Sequence, residues 1–163
     1  NEKAIILAKN NKANSGLISR SVITEENAIQ RTTDHTKNSN NDKVNLNLML
    51  SRFFYSIDWR EPSIHFAEEA IKLAPKDPDA YLFKGLAYAF NTDAKNQSIA
   101  EENIKKAIEL GLKNSRNYTI LGVVYLNLGR LDSARLSFKE AVRLDGENEQ
   151  AKEFLSKIFN ESR

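Results

Sequence analysis

Three stretches of the chain are one phrase written over: Ala70-Ile71-Lys72-Leu73, Ala107-Ile108-Glu109-Leu110 and Ala141-Val142-Arg143-Leu144, with the alanines 37 and 34 residues apart. Self-similarity at such an interval means one small unit repeated, since a unit of this size buries its apolar face only by stacking on its neighbours. The interval is too long for a heptad array. A second recurrence lies upstream of the later two phrases, where Gly85-Leu86-Ala87-Tyr88 aligns with Gly122-Val123-Val124-Tyr125.

The spacing divides each unit into two helices. The first carries a small residue (Ser51, Gly85, Gly122) three positions before an aromatic one (Phe54, Tyr88, Tyr125). The second carries Ser63, Ala100 or Ala134, followed seven residues later by Ala70, Ala107 or Ala141. Two antiparallel helices joined by a short turn approach closely only where side chains are tiny. The aromatic residue beside each small one then fills the space between neighbouring units. The helix ends are also marked. Pro75 stops one helix, Asp77-Pro78 supplies an N-cap acceptor and a proline at N1, and Gly146 ends another.

In these residues the chain resembles the tetratricopeptide repeat family, whose unit is about 34 residues. The third unit, about 115–148, carries Tyr118, Leu121, Gly122, Tyr125, Gly129, Ala134, Phe138, Ala141 and Leu144, with Gly146 in place of the family's proline. The second, about 78–114, matches at Tyr81, Gly85, Tyr88, Ala100, Ile104 and Ala107, but has Lys84 where leucine is usual and three extra residues in the loop 91–97. The first, about 44–77, keeps Leu50, Ser51, Phe54, Ala70, Leu73 and Pro75. In it Trp59 fits as the turn aromatic only after a one-residue slip. Residues 149–160 read as an amphipathic helix covering the last unit. The expected fold is all-α: an α-solenoid of about three helix–turn–helix units plus a C-terminal cap, spanning 44–163.

Residues 1–43 are different. They hold no aromatic residue, whereas all 14 Phe, Trp and Tyr lie between Phe53 and Phe159. The stretch from Thr32 to Lys43 is almost wholly polar, and such composition buries too little apolar surface to offset backbone ordering. This part reads as a polar extension with one or two weak helices, one of them opened by Thr24 with Glu25-Glu26 in its first turn. Beginning at Asn1, the chain is expected to be a processed protein or an excised fragment.

Composition excludes several functions. With 24 Lys+Arg against 22 Asp+Glu the net charge is +2, so no basic excess points to nucleic acid. Zero cysteines exclude disulfides, thiolate metal sites and a cysteine nucleophile. No apolar run approaches the roughly 18 residues that span a bilayer. The expected state is a soluble segment, cytoplasmic or of a bacterial periplasm or cell envelope. The two histidines, His35 and His65, lie in different regions, and a metal site needs three or four convergent ligands. The adjacent carboxylates Glu68-Glu69 and Glu101-Glu102 do not face each other on a helix and read as a solvated face. No phosphate loop or nucleophile motif occurs. The expectation is no enzyme, no cofactor and no metal.

What remains is binding. In the resembled family the first helix of each unit lines a concave groove. Carried over, this gives Leu48, Arg52 and Tyr55; Leu82, Leu86 and Phe90; and Arg116, Thr119, Val123, Leu126 and Asn127. The middle of that surface is apolar, which suits either a partner's extended peptide or amphipathic helix, or the apolar patches of the N-terminal extension (Ile5, Ile6 and Leu7; Leu17 and Ile18). Four or five apolar anchors set against the association penalty imply roughly micromolar affinity. The family's chaperone-tail subtype grips a C-terminal carboxylate with basic and amide side chains. The corresponding positions here are Leu48, Arg52, Phe83, Arg116 and Ile120, so no such clamp is expected. The alternative reading is a structural subunit that self-associates through Phe53 and Trp59, or through the groove, in a cell-envelope or motility assembly.

Overall fold

The structure, a computed structural model, describes residues 40–89 and 91–161. The readings placed on residues 1–39 and on Phe90 lie outside the described residues. Those residues form seven helices and no strand. In order these are α1 (Asn40–Ser56), α2 (Arg60–Leu73), α3 (Pro78–Ala89), α4 (Ala94–Glu109), α5 (Ser115–Asn127), α6 (Leu131–Leu144) and α7 (Glu149–Glu161). They pair as hairpins α1–α2, α3–α4 and α5–α6, each stacked on the next, with α7 laid on α6.

Two turn chemistries recur because two backbone problems recur. At the end of a first helix the last carbonyls need donors. After α5, Gly129 takes φ 69° and donates from its N–H to Leu126 O at 2.9 Å, while Arg130 N–H reaches Tyr125 O at 2.9 Å. That is a Schellman ending, which requires one left-handed residue. The same pattern closes α1 through Asp58, at φ 59°, with Trp59 N–H on Phe54 O at 2.9 Å. Between units the turn is different. Ala74-Pro75-Lys76-Asp77 and Asp145-Gly146-Glu147-Asn148 are both closed by a bond from the fourth N–H to the first carbonyl, at 3.0 and 3.2 Å. Gly146 therefore occupies the slot of Pro75. Its φ is not left-handed, so α6 ends on extended Asp145 and not on a glycine cap. The incoming helix is capped in each case. Asp77 accepts from Asp79 N–H at 2.9 Å and Asn148 accepts from Ala151 N–H at 2.9 Å.

The three extra residues of the second unit do not make a long loop. Asp93 caps α4 by accepting from Asn96 N–H at 2.9 Å, so residues 94–97 are helical and α4 has 16 residues where α2 and α6 have 14. Buried Gln97 ties down the rest, donating to Ala89 O at 2.9 Å and Asn91 O at 2.6 Å.

At each hairpin crossing the small residue faces a side chain of matching size. A Cβ at Gly122 would stand 2.5 Å from the Phe138 ring, and one at Gly85 would stand 2.7 Å from Ile104 Cγ1. In the first unit Ala67 occupies the place of Ile104 and Phe138, which leaves room for Ser51. Ser51 and Ser63 are both fully buried and bond reciprocally, Ser51 Oγ donating to Ser63 O at 2.8 Å and Ser63 Oγ to Ser51 O at 3.0 Å. Next to this crossing Phe54 stacks between Phe66 (centroids 5.6 Å) and Trp59 (5.7 Å). Trp59 is thus half-buried against its own unit, while Phe53 beside it is 53% exposed. The last hairpin is covered by α7, whose Phe154 stacks on Phe138 at 4.9 Å.

Two stability changes are expected from these features. Gly122→Leu wedges the α5–α6 crossing open and lowers stability by about 3 kcal/mol or more, at the upper end of overpacking costs; a wild-type melting temperature would show that the crossing is misplaced. Asp58→Gly relieves a left-handed non-glycine residue and raises stability by about 0.5–1 kcal/mol in denaturant unfolding. An unchanged or lower midpoint would contradict the strained turn.

Candidate functional site

The expected groove residues lie on α1, α3 and α5, of which α1 and α3 pack on each other. Their first-helix positions recur three to four residues apart, which puts them on one face of each rod. The structure leaves Leu48, Tyr55, Leu82, Val123 and Leu126 half-buried, and Arg52, Arg116 and Asn127 exposed. Two of the expected groove residues are not available. Leu86 is 6% exposed and belongs to the core. Thr119 is 3% exposed because its hydroxyl donates to Ser115 O at 2.9 Å and accepts from Asn148 Nδ2 at 2.9 Å. Ser115 in turn donates to Ala141 O at 2.8 Å, so this cluster fastens α5 to the turn before α7. Asn127 also faces its own fold, donating to Gln97 Oε1 at 3.2 Å. Val123 and Leu126 pack partly against the cluster of Phe138, Ala151 and Ile158 beneath the cap.

The charged members of the face influence one another across helices. Burial pushes the Tyr55 phenol above its usual value, and the Arg116 guanidinium opposes that shift. The Asp79 carboxyl is raised first by burial and then by Asp77, with Arg52 pulling it back down. Arg52 of α1, Asp79 of α3, Tyr55 of α1 and Arg116 of α5 thus lie within electrostatic reach in two pairs. The result is a set of half-buried leucine and valine side chains accompanied by two exposed guanidiniums, Arg52 and Arg116.

Other features fall outside this face. An open apolar cleft of about 310 Å³ lies between α4, α5 and α6, bordered by Ile108, Tyr118, Leu121, Tyr125 and Leu136. His65 is exposed, with its ring edge on Phe66 at 5.2 Å. Among the described residues no three His, Cys, Asp or Glu converge as metal ligands, and no helix is long and apolar enough to cross a membrane. Two carboxylates expected on a solvated face serve the stack instead. Glu68 of α2 pairs with Lys84 of α3 at 2.9 Å, and Glu101 of α4 pairs with Arg130 at 2.7 Å. Lys84 replaces the usual leucine because a carboxylate of the preceding unit meets it. Burial, and then the charge and hydrogen bond of Glu101, raise the Tyr125 phenol.

The comparisons agree with this architecture. A model of the tetratricopeptide repeat matches residues 115–148. Heat shock protein STI1 of Saccharomyces cerevisiae is 29% identical over 98 residues, 60% of this chain and 16% of that protein. The chain spans 12% and 16% of the length of curated relatives it matches. The Arabidopsis OM64 TPR domain superposes with a TM-score of 0.68 at 22% identity, over 74% of this chain and 97% of that one. The first TPR of Spaghetti (RPAP3), bound to the HSP90 peptide SRMEEVD, gives 0.65 at 18% identity over 73% and 94%. Residues 115–148 match the tetratricopeptide repeat, and the described helices form an all-α helical-repeat solenoid with the fold of tetratricopeptide-repeat domains.

Proposed function

We propose that the chain is a non-enzymatic adaptor that holds a segment of a partner protein along the inner face of α1, α3 and α5. The observation that carries this reading is the strip of Leu48, Leu82, Val123 and Leu126 left half-covered on a face where Leu86 is buried and Thr119 is tied to the turn before the cap. A similar fold holds a peptide in the Spaghetti (RPAP3) complex, which supports the class of function.

Magnitudes refine the partner. A fully buried aliphatic side chain contributes roughly 1.5–3 kcal/mol, and these four are already half-covered, so each adds about half of that. Their sum only balances the lower end of an association penalty of about 4–15 kcal/mol. Apolar contact alone therefore does not give a stable complex, and Arg52 and Arg116 have to take part. The fitting segment combines apolar residues with acceptors, carboxylate or carbonyl, for these two guanidiniums. Chaperone tails are disfavoured: a carboxylate clamp would find Leu48, Phe83 and Ile120 at three of its five positions.

Two measurements test this. Leu82→Glu and Arg116→Glu are each expected to weaken the captured host partner about tenfold, or about 1.4 kcal/mol, with helicity unchanged; undiminished capture by both would remove the inner face from consideration. Calorimetric titration with SRMEEVD is expected to show no saturation below about 1 mM. Saturable binding at micromolar peptide would instead make this a chaperone-tail adaptor.

A further inference from the structure

The apolar cleft between α4, α5 and α6 differs from its counterpart one unit earlier in how its charges are placed. Glu68 and Lys84 are followed, at the interval that separates Ala70 from Ala107, by Lys105 and Leu121. In the earlier gap Glu68 of α2 and Lys84 of α3 pair at 2.9 Å. In the later gap the lysine stands on the second helix, α4, and Leu121 of α5 takes the place across from it. Lys105 therefore lines the cleft without the partner that its register would supply. Among the described residues its ion pair is with Glu101 at 3.8 Å, a carboxylate already held by Arg130 at 2.7 Å and by the Tyr125 hydroxyl. Glu109, also on the rim, pairs with Lys106 at 3.5 Å.

A second observation comes from the opposite wall. There α6 contributes Leu136, which is 68% exposed, together with Ser133 and Ser137. Ser137 is only 7% exposed, yet among the described residues its hydroxyl has no hydrogen-bond partner. Every fully buried side-chain polar atom among those residues does have one, so the exposed part of Ser137 is its Oγ, opening on the cleft. A hydroxyl so placed gains from an acceptor brought in from outside. The remaining lining is apolar and aromatic. Tyr118, Leu121 and Tyr125 share one face of α5, with the two tyrosines about 10 Å apart along the axis. A ring lying on Leu121 and Ile108 meets a phenol on either side, in stacked or edge contact. Sites for free small molecules measure about 300–1,000 Å³ and enclose roughly 70–90% of the ligand. This cleft, of about 310 Å³, is open, which suits a side chain whose backbone runs outside. We propose that it takes one aromatic side chain of a partner polypeptide together with a neighbouring carboxylate, which pairs with Lys105 while Ser137 Oγ donates to an oxygen of the same segment. The partner thus supplies the anion that the earlier gap has in Glu68. None of these residues belongs to the inner face, and neither assignment depends on the other.

The probe is the blocked tetrapeptide acetyl-Gly-Phe-Asp-Gly-amide, titrated into the isotope-labelled full chain and followed by backbone amide chemical shifts. Saturable shifts at Leu121 and Ser137 are expected, with a Kd of about 1 mM for so small a segment. Alanine for the peptide's phenylalanine, or asparagine for its aspartate, is expected to weaken binding about fivefold or more. Lys105→Gln and Ser137→Ala in the protein are expected to weaken it to a similar degree, with helicity unchanged. Arg116→Glu on the inner face is expected to leave it as it was. No saturable shift at about ten times the expected Kd overturns the proposal. Binding that is indifferent to Lys105→Gln, or to the loss of either peptide side chain, overturns it as well. So does phenylacetate binding as tightly as the tetrapeptide, which would assign the cleft to a free aromatic acid.

Discussion

The approach of the Gly122 backbone to the flat side of Phe138 sets the geometry on which the other contacts depend. Nothing but a hydrogen fits at Gly122, because an added carbon would lie 2.5 Å from the ring. Phe138 can therefore fill the middle of the α5–α6 hairpin and still offer its ring to Phe154 of the cap. The same constraint takes other forms in the other units. Gly85 faces Ile104, and Ser51 shares its crossing with Ala67 and Ser63. The quantity preserved is the combined volume at the crossing. The first unit can therefore lose the glycine, because smaller Ala67 on α2 leaves space for a hydroxyl that finds a carbonyl to bind.

Stacking one hairpin on the next relies on polar groups as well as apolar ones. Gln97 joins the α3–α4 loop to Asn127 of the next unit. Asn148 joins the last turn to Ser115 and Thr119. Among the described residues, no buried side-chain polar atom is left without a partner. A buried amide or hydroxyl is costly when unpaired, so these groups admit few angles between hairpins. The Gln97–Asn127 bond fixes the second hairpin against the third, and the Asn148 bonds fix the third against the cap. A solenoid with slippery joints would present no fixed spacing to a bound segment.

The repeat was legible because its signal is steric. Glycine and alanine recur at matched intervals where helices must come close, and few other constraints produce that pattern. Pro75 with Asp77-Pro78 marks helix ends by chemistry that neighbours do not alter. The inner face was less legible. Leu86 lies on the same helical line as Leu82, and spacing alone cannot tell a residue that looks into solvent from one tucked under the adjoining rod. Thr119 was hidden by a bond from Asn148, a partner distant in sequence. Glu68 and Glu101 looked like ordinary surface carboxylates, since nothing local shows that Lys84 and Arg130 stand opposite. Lys84 itself was a clue: a charged residue at a position that prefers leucine asks for a counter-charge nearby. The extra residues after Asn91 read as loop because their number shows in the sequence, whereas the Asp93 cap that turns them into helix shows in the fold.

The stack follows from one rule of construction. Matched volumes let hairpins nest, and nesting aligns the first helices of successive units. The rule is tested most directly by a double-mutant cycle at the last crossing, using Gly122→Ala, Phe138→Ala and both together in equilibrium unfolding. If the two positions share one volume, the pair is less damaging than the sum of the singles by about 1 kcal/mol or more. Additivity within about 0.5 kcal/mol would mean that the two residues do not meet, and the hairpin geometry described above would be wrong.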